Sequence, residues 1–207
     1  MTALRETPAR VVVLASGTGS LLLSLVAATT AENYPARIVA VGVDRECAAA
    51  RHADDAAIPH FRIGLRDFAD RSAWDAALTE AALGFEPDLI VTAGFMKILG
   101  PRFLDAFAGR IVNTHPALLP SFPGAHAVRD ALDHGVKLTG STVHLVDSGI
   151  DTGPILAQEA VPVLDGDDEA ALHERIKTVE RRLLVDVIAA VAAKGVTSDG
   201  RKAQIIR

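Results

Sequence analysis

Apolar and polar positions alternate in long blocks along this chain, and the blocks change period in a regular way. Arg10–Ala15 is short, rich in valine and almost wholly apolar, the pattern of a strand buried on both faces. A glycine-bearing turn, Ser16–Ser20, follows, then a helical stretch over Leu21–Ala28. The same sequence of strand, turn and helix recurs. Strands are predicted at Arg37–Val43, Ile58–Ile63, Pro87–Ala93 and Gly109–His115, with helices at Ala48–Ala57, Asp67–Gly84 and Phe103–Phe107 between them. His126–His134 suits a further short helix. Leu138–Val146 and Ile155–Val163 then read as two strands joined by the turn cluster Asp147–Pro154. Pro162 marks the second as an edge strand. A long helix, Glu169–Lys194, carries the stripe Leu172, Ile176, Val179, Leu183 and Val187 behind an acidic start, and Gly195 stops it. These alternating blocks predict one α/β domain of Rossmann-like type. Its sheet is mostly parallel and twisted, with helices on both faces and an antiparallel C-terminal hairpin. The expected division is an extension over residues 1–9, a domain over 10–195 and a tail over 196–207, with Ile205-Ile206 as an edge strand in the tail.

Composition narrows the function. Of 207 residues, 49% are hydrophobic and 23% charged, enough for a full core. A net charge of -5 argues against nucleic-acid binding as the main task, though not against a local phosphate pocket. The single cysteine, Cys47, excludes a disulfide framework and a Cys-based zinc site, and no metal-ligand cluster occurs at credible spacing. Met1–Pro8 lacks the apolar core of a signal peptide, and no run approaches a membrane span. A cytoplasmic setting is expected.

Candidate chemistry gathers at the C-terminal ends of the predicted strands, where open α/β sheets bind ligands. Ile111–His115 ends in Asn113-Thr114-His115, and Pro116 follows at once. Proline biases His115 toward extended backbone, so Asn113 and His115 should project to one side. Asn113 could donate to a developing oxyanion and His115 could move a proton; the competing reading is a turn in which both only bond backbone. An acid such as Asp151 would orient the imidazole. The Gly17–Ser20 turn offers glycines and a helix N-terminus to an anion. Leu22 stands where a third glycine would complete a dinucleotide fingerprint, so a single phosphate is favoured. The simpler reading is a tight turn with Ser16 or Ser20 as N-cap. Asp44 lies where an NAD enzyme places its ribose-binding acid, a weak signal. Gly94–Pro101 is unusually apolar for a loop and reads either as the wall of a pocket for a flat, greasy ligand or as packing. His144 either lines the site or fills the core. His52, His60, His126, His134 and His173 read as surface groups, and Trp74 as core.

Three stretches together carry a resemblance. Asn113-Thr114-His115-Pro116-Ala117-Leu118-Leu119-Pro120, preceded by Ala93-Gly94-Phe95-Met96-Lys97-Ile98-Leu99 and followed by Asp151-Thr152-Gly153-Pro154-Ile155, resemble the folate-dependent formyltransferases. The resemblance runs from about Arg10 to Lys194 and includes Ser16-Gly17-Thr18-Gly19-Ser20. It implies transfer of the formyl group of 10-formyltetrahydrofolate, as co-substrate, to the primary amine of glycinamide ribonucleotide, with no metal, nucleic acid or membrane involved. It also implies Asn113, His115 and Asp151 as the catalytic trio. Gly19, Ser20, Leu21, Pro116, Lys177 and Glu180 would hold the ribonucleotide. Arg71, Met96, Lys97, Ile98, Leu99, Asn113 and Asp147, Ser148, Gly149, Ile150 and Asp151 would hold the folate. Two positions depart from many members: Leu21 stands for Asn, leaving only its backbone N–H, and Lys97 for Arg. A tRNA-formylating relative needs a further C-terminal domain and a folate-hydrolysing one usually an N-terminal domain, and the chain is expected to have neither. A sugar-nucleotide formyltransferase, a deformylase and, outside the class, a nucleotide-binding oxidoreductase remain the alternatives, and a homodimer is left open.

Overall fold

The computed structural model describes residues 8–206; all but two residues of the expected N-terminal extension lie outside them. Seven strands form one sheet: β1 (Ala9–Ala15), β2 (Ala36–Val43), β3 (His60–Arg62), β4 (Leu89–Thr92), β5 (Ile111–His115), β6 (Leu138–Leu145) and β7 (Ile155–Pro162). Their order across the sheet is β3-β2-β1-β4-β5-β6-β7. The first five run parallel, and β6 is antiparallel to both β5 and β7. β7 is an edge strand, as Pro162 predicts.

The near-continuous apolar run of β1 exists because both faces are covered. Val11, Val13 and Ala15 pack into one core with α1 (Ser20–Thr29), α2 (Ala48–Asp55) and the long α6 (Glu169–Lys194). Val12 and Leu14 face the other way, toward α3 (Arg71–Leu83) and α4 (Pro101–Ala106), where Trp74, Phe103 and Phe107 are fully buried. Each such side chain contributes about 1.5–3 kcal/mol of burial. Between β5 and β6, α5 (Ala127–His134) packs its Val128 with Val161, Leu172 and Ile176 in a smaller third cluster.

The helix stops and starts follow the sequence closely at α6, whose start is capped by Asp168 accepting from Ala171 N–H at 2.7 Å. At α3 the start shifts: the helix begins at Arg71 behind Asp70, and Leu65–Asp67 is a separate 3-10 turn. Asp70, not Asp67, holds the orphan donor of Ala73 at 2.8 Å and so sets the boundary. The tail also differs from a single edge strand. Residues 196–205 form a two-stranded hairpin, β8 (Val196–Ser198) with β9 (Ala203–Ile205), outside the main sheet. Val196 is buried, and Ala203 and Ile205 pack against the larger core. Among the described residues no helix is long and apolar enough to cross a membrane.

Candidate active site

The register of three strands builds the centre. β5 pairs with β4 so that Asn113 sits beside Thr92, and with β6 so that Asn113 faces His144 and His115 faces Thr142. Alternation along β5 sends Asn113 and His115 to the face carrying α3 and α4, while Val112 and Thr114 face α6. Thr92 Oγ1 donates to Asn113 Oδ1 at 2.6 Å. His144 Nδ1–H donates to the Leu145 carbonyl at 2.9 Å, so its Nε2 lone pair accepts from Asn113 Nδ2 at 3.1 Å. The amide is therefore fixed at both ends, with one Nδ2 hydrogen left to serve a substrate oxygen. Burial holds His144 below the usual histidine range, in the neutral form this chain of bonds requires. His144 thus lies beside Asn113 and Asp151 in the candidate site.

His115 is almost completely buried. Its Nε2–H donates to the Phe122 carbonyl at 2.8 Å, and its Nδ1 lies 3.4 Å from Asp151 Oδ2. Asp151 stands between the two histidines, with Oδ1 3.7 Å from His144 Nε2, and accepts the Gly124 N–H at 2.7 Å. Its backbone is left-handed at φ 54°, a conformation that costs about 1–3 kcal/mol in a non-glycine residue. The loop around it is tightly held. Asp147 accepts from Gly149 N–H and Thr152 Oγ1, and a Cβ at Gly153 would lie 1.8 Å from the Leu145 carbonyl oxygen. Asn113, His115 and Asp151 are thus brought together; Ser148 and Ile150 lie on this loop, Ile150 half exposed at 55%.

The loop after β5 is braced by residues that the sequence pattern does not reveal. Thr142 Oγ1 donates to the Ala117 carbonyl and accepts from Leu119 N–H, and Gln158 Nε2 bonds both Thr142 Oγ1 and the Leu119 carbonyl. Pro116 lies at the start of this braced segment.

On one side of the centre lies the Gly17–Ser20 turn. Neither Ser16 nor Ser20 caps α1: the N-cap is Gly19, at φ 72°, and no side chain caps the helix. The first-turn N–H groups of Ser20, Leu21 and Leu22 thus meet no capping side chain, as an anion site needs. The Leu21 side chain is buried in the core, so only its backbone can serve. α2 supports the turn from behind: Ala49 N–H donates to the Gly17 carbonyl at 3.2 Å, and His52 Nε2 bonds the Thr18 carbonyl at 3.1 Å. A Cβ at Gly19 would meet Ala49 Cα and His52 at 3.0 Å. His52, part-exposed at the surface as expected, thus also braces the turn.

After the adjacent strand β4, the loop 94–99 splits into two faces. Leu99 is buried, and Phe95 packs against the α3/α4 core. Met96 and Ile98 are 66% and 59% exposed. Arg71 sits over the Trp74 ring at 5.4 Å and donates to the Ile98 carbonyl. Lys97 turns back to Asp44, Nζ to Oδ2 at 2.8 Å. Asp44, whose side chain is 1% exposed, also binds Arg45 at 2.7 Å. Burial alone would raise the Asp44 carboxyl; hydrogen bonds from Arg45, Lys97 and Ser16 outweigh it and bring it down to about 2. Asp44 is thus engaged by cations of its own chain where a ribose-binding acid would have to be available.

Lys177 and Glu180 separate. Glu180 is buried on the α6 face, where its Oε1 accepts from Thr114 Oγ1 at 2.9 Å, so it reaches β5 from behind; burial pushes its carboxyl up. Lys177 pairs with Glu174 at 2.8 Å. Beyond Asp151 a cavity of about 480 Å³ is lined by Leu119, Pro123, Ile150 and, from the tail hairpin, Arg201 and Lys202. Among the described residues no group of three His, Cys, Asp or Glu side chains could hold a metal.

An amide and a histidine–carboxylate pair beside the end of β5, with an anion-ready helix start after β1 and a partly apolar loop after β4, make up the candidate site of this α/β fold. Residues 9–188 match the formyl transferase family, and the chain belongs to it. It is 65% identical over 200 residues to the phosphoribosylglycinamide formyltransferase of Mycobacterium tuberculosis, covering 97% of this chain and 93% of that protein. Among solved structures it is similar to glycinamide ribonucleotide transformylase 1 from Symbiobacterium toebii, with a TM-score of 0.93 and 38% identity over 96% of this chain and 94% of that one. A formyltetrahydrofolate deformylase from Pseudomonas syringae shares the fold at a TM-score of 0.89 but only 26% identity, over 96% of this chain and 66% of that one.

Proposed function

We propose that this chain transfers the formyl group of 10-formyltetrahydrofolate to the primary amine of glycinamide ribonucleotide, in purine biosynthesis, within the cytoplasm. The observation that carries the reading is the Asn113 amide, fixed by Thr92 and His144 beside the His115–Asp151 pair. Identity of 65% to a relative of that name over nearly the whole chain supports the choice of acceptor.

Each part of the site then has a task. The N–H groups of Gly19, Ser20 and Leu21 hold the acceptor's phosphate, with Pro116, Lys177 and Glu180 as its further contacts. Exposed Met96 and Ile98, the backbone of Lys97 and Leu99, Arg71 and the loop from Asp147 through Asp151 receive the folate. Asn113 donates to the formyl oxygen as the amine adds to the formyl carbon and that oxygen becomes negative. His115, oriented by Asp151 at Nδ1, gives a second donor once the formyl oxygen takes the place of the Phe122 carbonyl at its Nε2–H. It then assists the proton lost by the amine onto the folate nitrogen as the carbon–nitrogen bond to folate breaks. A bond forms at the acceptor nitrogen, one breaks at the folate nitrogen, and no water is consumed.

The phosphate assignment is tested with glycinamide riboside, the acceptor without its phosphate. Loss of several charge-assisted bonds should raise KM about 10²-fold or more, with less change in kcat. Equal kcat/KM for the two acceptors would remove the Gly19–Leu21 turn from the site.

A further inference from the structure

The two substrates of the proposed reaction approach from different loops, one after β1 and one after β4, and these loops must be held at one spacing for the amine to meet the formyl carbon. We propose that Ser16 and Asp44 are positioning residues that latch the folate-side loop 94–99 to the phosphate-side turn 16–20, an inference that rests on the formyl-transfer reading above.

Ser16 is the junction. Its backbone N–H donates to the Gly94 carbonyl at 3.2 Å, and its Oγ accepts the Met96 N–H at 2.8 Å. The hydroxyl is also among the groups that hold the Asp44 carboxyl down. Asp44 closes the circuit through Lys97 Nζ at 2.8 Å, one residue beyond Met96. Three consecutive strands thus contribute: β1 delivers Ser16, its neighbour β2 delivers Asp44, and β4, on the other side of β1, delivers the loop. Polar side chains this buried at strand ends persist because each bond is made to a partner on another loop. Arg45 binds Asp44 from the solvent side.

The latch does not hold its two ends equally. The phosphate turn keeps independent support from α2, through Ala49 N–H to Gly17 and His52 to Thr18. Besides the latch, the folate loop is held by the Arg71 bond to Ile98 and by Phe95 and Leu99 in the α3/α4 core, and it leaves β4 through Gly94 at φ 72° with Met96 and Ile98 exposed. Releasing the latch should therefore free the folate loop and leave the turn in place.

The test uses the full chain carrying Asp44→Asn, Ser16→Ala or Arg45→Lys. Two readouts are taken: steady-state kinetics with both substrates, and amide hydrogen exchange over residues 94–99 without ligand. Losing bonds to a charged partner should raise the folate KM about tenfold in Asp44→Asn. Misplacement should lower kcat by up to about 10²-fold, while the acceptor KM stays within about twofold. Ser16→Ala, which leaves the buried charges paired, should move in the same direction. Arg45→Lys, which keeps a cation on the solvent side of Asp44, should stay near wild type. Exchange over 94–99 should quicken about tenfold or more in the first two variants only. A merely structural role would lower melting temperature and leave folate KM and exchange at 94–99 unchanged, and that result overturns the proposal. So does an acceptor KM that rises as much as the folate KM. Should the wild-type chain transfer no formyl group, the functional reading fails, while the exchange measurement still decides whether Ser16 and Asp44 hold the loop.

Discussion

Replacing Asn113 with alanine should lower kcat by about 10²–10³-fold, the cost of removing one preorganised oxyanion donor. Both KM values should change little. The reason lies in how the amide is held. Thr92 fixes its oxygen at 2.6 Å and His144 fixes one of its hydrogens at 3.1 Å. Rotation of the amide is thereby blocked, and the second hydrogen is aimed before substrate arrives, so no reorganisation is needed in the transition state. The same arrangement gives a pH dependence. His144 is depressed by burial, and its neutral Nε2 must accept from Asn113. Protonating it would set two donors against each other. A group whose folded value is lowered adds stability that is complete above its ordinary value of 6.5 and is lost as pH falls through the folded one. Wild-type turnover should therefore fall on the acid side below that ordinary value. Alanine at 113 should flatten that part of the profile, because the residue through which His144 acts is gone. Near-wild-type kcat in Asn113→Ala, measured by steady-state folate release, would remove the amide from the mechanism.

The loss in His115→Ala should equal or exceed that in Asn113→Ala. His115 supplies two services where Asn113 supplies one: its Nε2–H becomes a second donor to the oxygen when substrate displaces the Phe122 carbonyl, and the ring gives a path for the proton leaving the amine. Its position is over-determined, with the Phe122 carbonyl at one ring nitrogen and Asp151 at the other. Asp151 is itself held in a left-handed backbone and bonded to Gly124. Strain kept at that position is compatible with a catalytic loop that is bound on both sides. The measurement is kcat over a pH series with both substrates saturating. Full activity in His115→Ala would end its assignment and leave Asn113 as the main contributor.

Much of the fold could be read from periodicity. The strand blocks alternate with helices at the expected places, the long α6 has the expected bounds, and the antiparallel end of the sheet follows from two strands around a turn cluster with Pro162. Local signals sufficed there because helix caps, prolines and apolar period act within a few residues. That Asn113, His115 and Asp151 gather at one place was also legible, since they lie in short motifs at the end of β5 and in the β6–β7 loop. What stayed hidden is non-local. Thr92, Thr142 and Gln158 are ordinary β-strand residues whose roles come only from register with a neighbouring strand. Ser16 is a plausible helix cap by sequence, yet it bonds a loop 80 residues away. Asp44 has the position of a ribose-binding acid and is instead consumed by Lys97 and Arg45, which no spacing rule discloses. Lys177 and Glu180 share a helix segment, but one turns to Glu174 and the other is buried against Thr114. The tail's hairpin, with Arg201 and Lys202 beside the Asp151 cavity, has no strong pattern because its strands are three residues each.

The central claim is direct transfer of a formyl group to an amine, and one paired assay tests it. The purified chain is mixed with 10-formyltetrahydrofolate, with and without glycinamide ribonucleotide, and tetrahydrofolate release is followed by absorbance. Release that depends on the ribonucleotide, with one formylated acceptor formed per folate released, is the predicted result. Equal release without any acceptor would make the protein a hydrolase, and no release in either mixture would contradict the choice of acceptor.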